Sequence, residues 1–299
     1  MHRILEYEKT IVICENQFFL NHVEHFLNEK SISNYAILND LETLPYDIFS
    51  PHPEKLANRL ETMAEIANKE NLIVLATINS LIQPYFDKAS INNFSYKFSQ
   101  NDKLDRENLL NSLASAGYSS SEVVTERSEF AVRGSVIDIY PSNSKLPIRI
   151  NLDDDLIESI RLFDKDSQIS ISKIDQYQCR ATKGFQLDEE SIAVFKKNWR
   201  QIFSQDGEFF DQVSSGKFPE GIESYFPLFY EKKPLYEDFF KNYSKFLYGN
   251  VSKGAEAYWN LISRRYEDFI SDFDRPPLKP TFLYNDPQKI LLNLSLIHI

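Results

Sequence analysis

Two arginines, Arg133 and Arg149, lie in a stretch of alternating apolar residues where a charged side chain needs a reason. The stretch runs from Glu129 to Asp164, EFAVRGSVIDIYPSNSKLPIRINLDDDLIESIRLFD, and reads as three short strands joined by two turns. Val132, Ser135, Ile137 and Ile139, with Arg149 and Asn151 further on, alternate at period two as half-buried strands do. Pro141-Ser142-Asn143-Ser144 and Asp153-Asp154-Asp155 supply the turn residues. Arginine presents a rigid fork of five donors, so two of them on one sheet face suit recognition of a partner's carboxylates. In the plainer reading each arginine pairs with an Asp or Glu of its own sheet. Both readings stay open at this level.

Other groups with chemical potential are weaker. His22 and His25 in HVEH put two imidazoles three residues apart, as some metal sites do, but lack a third ligand at motif spacing, and a solvated helix face is the better reading. Asp153, Asp154 and Asp155 with Glu158 have the composition of a Mg²⁺ site in a two-metal nuclease, or of a plain turn. No Ser-His-Asp or Cys-His pair has a recognisable setting. The eight glycines are at 117, 134, 184, 207, 216, 221, 249 and 254, so the first 116 residues have none. A phosphate-cradling loop needs glycine for close backbone approach, and neither G-x-G-x-x-G nor G-x-x-x-x-G-K-[ST] occurs. Gly216-Lys217 fails because Phe218 follows it and Asp211 stands where the first glycine belongs. No cofactor is expected. Tyr225, Phe226, Phe229 and Tyr230 are candidates for a partner groove, but aromatics at helical spacing more often form a core.

The elements that must position these groups fall into two patterns. Residues 11–14 (IVIC) and 72–77 (LIVLAT) are short continuous apolar runs, as in strands buried on both faces. Between them Leu56, Leu60, Met63 and Ile66 mark an amphipathic helix that starts after Ser50-Pro51-His52-Pro53. Strands alternating with helices predict a parallel α/β layer over residues 1–95. From Ser95 the pattern changes. Asp105 caps a helix carrying Leu109, Leu110 and Leu113, Gly117 stops it, and the strand-rich stretch follows, giving an α+β module over residues 96–183. Beyond it Ile192, Phe195, Trp199 and Ile202 form a second helical stripe, and aromatic-rich helical sequence continues to about Phe273. The apolar strands on both sides of the module are expected to share one core, so residues 1–95 and 184–290 form a discontinuous domain with 96–183 inserted. Arg275 to Pro280 reads as a linker. Leu291 to Ile299 is an apolar run without a cap, and residues 291–299 read as the doubtful tail of a chain cut short.

Composition excludes several classes. The 299 residues predict about two domains. There are 33 basic and 44 acidic side chains, a net charge of −11. Residues 1–95 hold 7 basic and 13 acidic groups, 96–183 hold 12 and 14, and 184–299 hold 14 and 17. With no basic segment, an autonomous grip on DNA phosphates is not supported. Cys14 and Cys179 are isolated thiols, which fits a reducing cytoplasm. The charged N-terminus MHRILEYEKTIVIC is unlike a signal peptide, and no apolar run is long enough to span a membrane.

Taken together the chain resembles the bacterial transcription-repair coupling factors, in their UvrB-like region. The resemblance is carried by LETLPYDIFSPHPEKLANRL (41–60), LASAGYSSSEVVTERSEFAVRGSVIDIYP (113–141), LPIRINLDDDLIESIRLFDKDSQIS (146–170), FKKNWRQIF (195–203) and FDQVSSGKFPEGIESYFPLFY (210–230). It implies a degenerate helicase-like α/β domain without a working phosphate loop, interrupted by an inserted domain that binds the excision-repair protein UvrA. It implies a non-catalytic, cytoplasmic UvrA-recruiting module in nucleotide excision repair. RNA polymerase and DNA would be bound only through domains absent from this chain. The arginine of EFAVRG is Arg133, and the arginine opening the second block is Arg149; both match the family's UvrA contacts. Where the family carries aromatics after the second arginine, this chain has Leu152 and Asp153, which are taken as the remaining contact positions. The rival readings are a Mg²⁺-dependent nuclease or divergent ATPase using Asp153–Asp155, or a DNA-binding module.

Overall fold

The protein was analysed as a computed structural model that describes residues 2–88, 95–142, 144–180, 182–292 and 297–298. The tail positions 293–296 and 299, and Asn143 in the expected turn, lie outside the described residues.

The first apolar run is β1 (Lys9–Cys14), followed by β2 (Tyr35–Leu38) and β3 (Leu72–Thr77). β1 and β2 both pair with β3 in parallel, and every residue of β3 is buried. Such strands are covered by helices on both faces, which is why they read as unbroken apolar runs. The connecting helix Pro53–Asn68 starts where expected. His52 accepts a hydrogen bond from the Glu54 amide, and Pro53 stands in the first turn, where its missing N–H costs nothing.

The chain then leaves this sheet through β4 (Ser95–Ser99). After the helix Arg106–Ser115 come β5 (Ser119–Ser120), β6 (Glu129–Arg133), β7 (Val136–Ile139), β8 (Ile148–Asp153), β9 (Leu156–Phe163), β10 (Ser170–Ile174) and β11 (Gln176–Arg180). β10-β9-β8-β7-β6-β5 form a six-stranded sheet, while β4 and β11 pair with each other. That pairing is antiparallel, so the strands by which the chain departs and returns lie side by side. Asp105 accepts from the Asn108 amide at 3.0 Å and caps the helix as the sequence indicates. The helix and one sheet face enclose a core that includes Leu109, Leu113, Ile137, Ile139, Ile148, Ile150 and Ile160.

The region expected to be helical up to Phe273 contains a strand, β12 (Ser244–Tyr248), which pairs in parallel with β1 and in turn with β13 (Ile297–His298). The first sheet is therefore ordered β13-β12-β1-β3-β2. Its core joins Ile11, Ile13 and Val74 to Phe195, Trp199, Phe226, Tyr236 and Ile262, so residues before and after the inserted stretch pack together. Phe195 and Trp199 of the helix Glu189–Ile202 are buried, but Ile202 at its last turn is 42% exposed. No helix among the described residues is long and apolar enough to cross a membrane.

Candidate partner-binding site

The stretch read as three strands is four. β6 and β7 are a hairpin whose two-residue turn, Gly134-Ser135, has Gly134 at φ +60°. Glycine takes this left-handed conformation without the Cβ penalty, and it opens a tight hairpin turn. Arg133 is consequently the last residue before a turn rather than a mid-strand residue.

Pairing places Asp138 of β7 directly opposite Arg149 of β8 on one side and Ala131 of β6 on the other. Side chains opposite one another share a face, and Arg133, two residues beyond Ala131, lies on it as well. The sheet's other face is the apolar core. On this outer face both arginines turn to one acid. The Asp138 side chain is 0% exposed. Arg149 grips it with two donors, Nε to Oδ1 at 2.7 Å and Nη2 to Oδ2 at 2.9 Å. Arg133 Nη2 also donates to Oδ2. Arg149 donates further to the Gln168 carbonyl at 3.2 Å and the Gln168 Oε1 at 3.4 Å, and its guanidinium lies 4.5 Å from the centre of the Phe163 ring. The hydrogen bonds with Asp138 raise the Arg149 pKa, against a burial that lowers it.

The two arginines are thus unequal. Arg149 is 20% exposed, with its donors spent on Asp138 and Gln168. Arg133 is 46% exposed, and among the described residues Asp138 is its only charged partner. Asp138 holds one end of its fork in place, and the side chain remains half-exposed, a geometry that can receive an external carboxylate. The plainer sequence reading, pairing within the sheet, describes Arg149; Arg133 is paired and available at once.

Leu152 is not on this face. It is 7% exposed and packs in the insert's core, because residues 149 and 152 are an odd number apart on an alternating strand. Asp153 is exposed at the end of β8, opposite Leu156, with Asp154 at φ +55° in the turn. Four residues of strand separate it from Arg149, roughly 13 Å. The acid beside Arg149 is Asp138. Sequence reasoning missed Asp138, Gln168 and Phe163; unbroken alternation along AVRGSVID puts Asp138 on the face opposite Arg133, and only the hairpin at Gly134-Ser135 brings the two together.

The other candidates fall elsewhere. Asp155 pairs with Lys103 at 3.0 Å, and His25 Nε2 lies 3.2 Å from Glu29. Among the described residues no three His, Cys, Asp or Glu side chains are placed to hold a metal. Tyr225, Phe226 and Phe229 are buried in the main core.

At the C-terminal ends of the parallel strands, where α/β folds place nucleotides, a cavity of about 350 Å³ is lined by Glu15, Asn16, Asn79, Lys253 and Gly254. Backbone amides at its rim are already bonded within the chain. Glu15 Oε2 accepts from the Asn250 amide at 2.7 Å, beside the helix Val251–Phe269. Asn16 Oδ1 accepts from the Phe18 and Phe19 amides and caps the helix after β1.

The six-stranded sheet thus carries on its outer face an arginine oriented by a buried acid. Residues 96–185 match the UvrB interaction domain family. The transcription-repair-coupling factor of Escherichia coli is 33% identical over 252 residues, 83% of this chain and 22% of that protein. That of Haemophilus influenzae is 31% identical over 281 residues, 92% of this chain and 24% of that protein. A Staphylococcus aureus relative of the same name is 24% identical over 222 residues. The chain belongs to the transcription-repair-coupling-factor family and spans about a quarter of the length of these relatives.

Proposed function

We propose that this chain is a non-catalytic recruiting module that binds UvrA through the outer face of the inserted sheet and so links stalled transcription to nucleotide excision repair. The observation that carries it is Arg133, half-exposed and held in place by a buried acid that Arg149 already satisfies, within the stretch matching the UvrB interaction domain. Residues 1–95 and 184–290 act as one discontinuous scaffold for the insert at 96–183. The shared core, and the pairing of β4 with β11 at the junction, support that division. RNA polymerase and DNA are reached through other parts of the family's longer proteins, and the place of work is the cytoplasm. The Glu15 carboxylate and the Asn16 amide oxygen, which already accept from nearby backbone amides, support a scaffold that neither binds nor hydrolyses ATP.

Purified chain should retain UvrA in a pull-down and give no heat with ATP in calorimetry. Retention lost in Arg133→Ala at unchanged melting temperature supports the assignment. ATP affinity in the micromolar range, abolished by a substitution at Glu15 or Lys253, would overturn the non-catalytic reading.

A further inference from the structure

The row of paired side chains that contains Asp138 and Arg149 continues outward. Arg149 stands opposite Arg161 of β9, and Arg161 stands opposite Lys173 of β10. On one face, across four successive strands, the order is therefore Asp138, Arg149, Arg161, Lys173. Like charges directly opposite one another destabilise a sheet. Here three cations stand side by side in a chain of net charge −11, and the one acid in the row is already committed to Arg149 and Arg133. Arg161 and Lys173 are exposed, and among the described residues neither has an ion pair. Beside them the β10 edge carries a bulge between Ser170 and Ser172, with Ile169 67% and Ile171 59% exposed. Exposed isoleucines flanking arginine are the composition of a protein interface rather than of a phosphate track.

We infer that Arg161 and Lys173 extend the docking face beyond Arg133 and receive an acidic segment of the partner that crosses the strands. Strands lie about 4.8 Å apart, so the cations repeat at about that interval. A helix with carboxylates three residues apart, rising about 4.5 Å between them, presents a matching row. The repulsion among Arg149, Arg161 and Lys173 is relieved when the segment binds, and Ile169 and Ile171 are covered at its edge. This inference rests on the recruitment reading above, because it takes the partner to be UvrA.

The test compares the full chain with Arg161→Thr, Lys173→Thr and the double variant, by UvrA binding at low and raised salt, by melting temperature, and by binding of a single-stranded oligonucleotide. Each single variant should weaken UvrA binding about fivefold at low salt, the upper range for an exposed pair. The double variant should lose more than either, and the differences should shrink at high salt as screening shortens the reach of the charges. Arg161→Thr should melt no lower than the parent chain, since it removes repulsion. Undiminished UvrA binding by the double variant, with Arg133→Ala impaired, would overturn the inference and leave the recruitment reading standing. Absence of UvrA binding by the parent chain would overturn the recruitment reading, and the inference with it. Loss of oligonucleotide binding in the double variant, with UvrA binding intact, would assign the row to phosphates and overturn the inference.

Discussion

A half-exposed arginine and a mostly buried one share one carboxylate, and their substitutions should separate binding from stability. Arg133→Ala leaves Asp138 with both donors of the Arg149 fork, so the fold should lose less than about 1 kcal/mol, as for an exposed ion pair. UvrA binding should drop by about 2 kcal/mol, the scale of an interfacial arginine anchor. Arg149→Ala is different. It leaves Asp138, at 0% exposure, with a single donor from a solvent-facing side chain, and should cost about 3 kcal/mol of stability. Thermal unfolding alongside a binding titration of the two variants checks both expectations. Equal loss of stability in the two would show that Arg133 also serves the fold alone.

The elements meet where side chains are small or absent. Gly254 lies in the helix Val251–Phe269, and a Cβ there would sit 2.6 Å from the Glu15 carbonyl oxygen. Alanine in a helix ordinarily gains up to about 1 kcal/mol over glycine. At this position the backbone of the turn after β1 would have to shift, and overpacking of that kind costs about 1–3 kcal/mol. Gly254→Ala should therefore lower the melting temperature, read by circular dichroism, despite its better helix propensity. The inserted module has its own core and its own paired ends, while Lys183 with Glu223 at 3.0 Å and Arg127 with Glu54 at 3.5 Å tie it to the scaffold. Residues 96–183 expressed alone should fold, with a strand-dominated circular dichroism spectrum. An unfolded spectrum would move the insertion boundary.

The whole molecule should respond to alkaline pH in two opposed steps. Lys233 donates to the Tyr284 carbonyl at 2.6 Å, and burial, assisted by Lys289, pulls its pKa down to about 8. The unfolded lysine titrates near 10.4. Between these values the unfolded chain holds a proton that the folded chain has released, so stability rises with pH. Tyr46, Tyr85, Tyr225, Tyr236 and Tyr258 are all pushed above their ordinary value by burial. Above about pH 10 the unfolded tyrosines ionise while the folded ones keep their protons, and stability falls. Burial also pushes up the thiols of Cys14 and Cys179, which adds to the fall from about pH 8.5. The Lys233 contribution is therefore read as a difference: in denaturant unfolding from about pH 7 to 11 the parent chain should gain stability relative to Lys233→Met between about pH 8 and 10.4.

The sequence by itself determined what depends on local periodicity and local chemistry. The apolar runs of β1 and β3, the capped helices Pro53–Asn68 and Arg106–Ser115, and the break of pattern near Ser95 were legible because a period of two or 3.6 residues and a capping side chain act within a few positions. The oddity of Arg133 and Arg149 was legible for the same reason. β12 was not: Ser244–Tyr248 is a five-residue strand amid aromatic helical sequence, and so short a run carries no period that tells strand from helix. The hairpin at Gly134 was hidden because Ser135 and Ile137 continue the alternation through the turn. Only the tertiary structure decided which acid the arginines meet, which face Leu152 takes, and that Arg161 and Lys173 stand in line with them. Those outcomes are set by register between strands, a long-range choice made by hydrogen-bond pairing and core burial together, in which a shift of one residue would send every side chain to the opposite face.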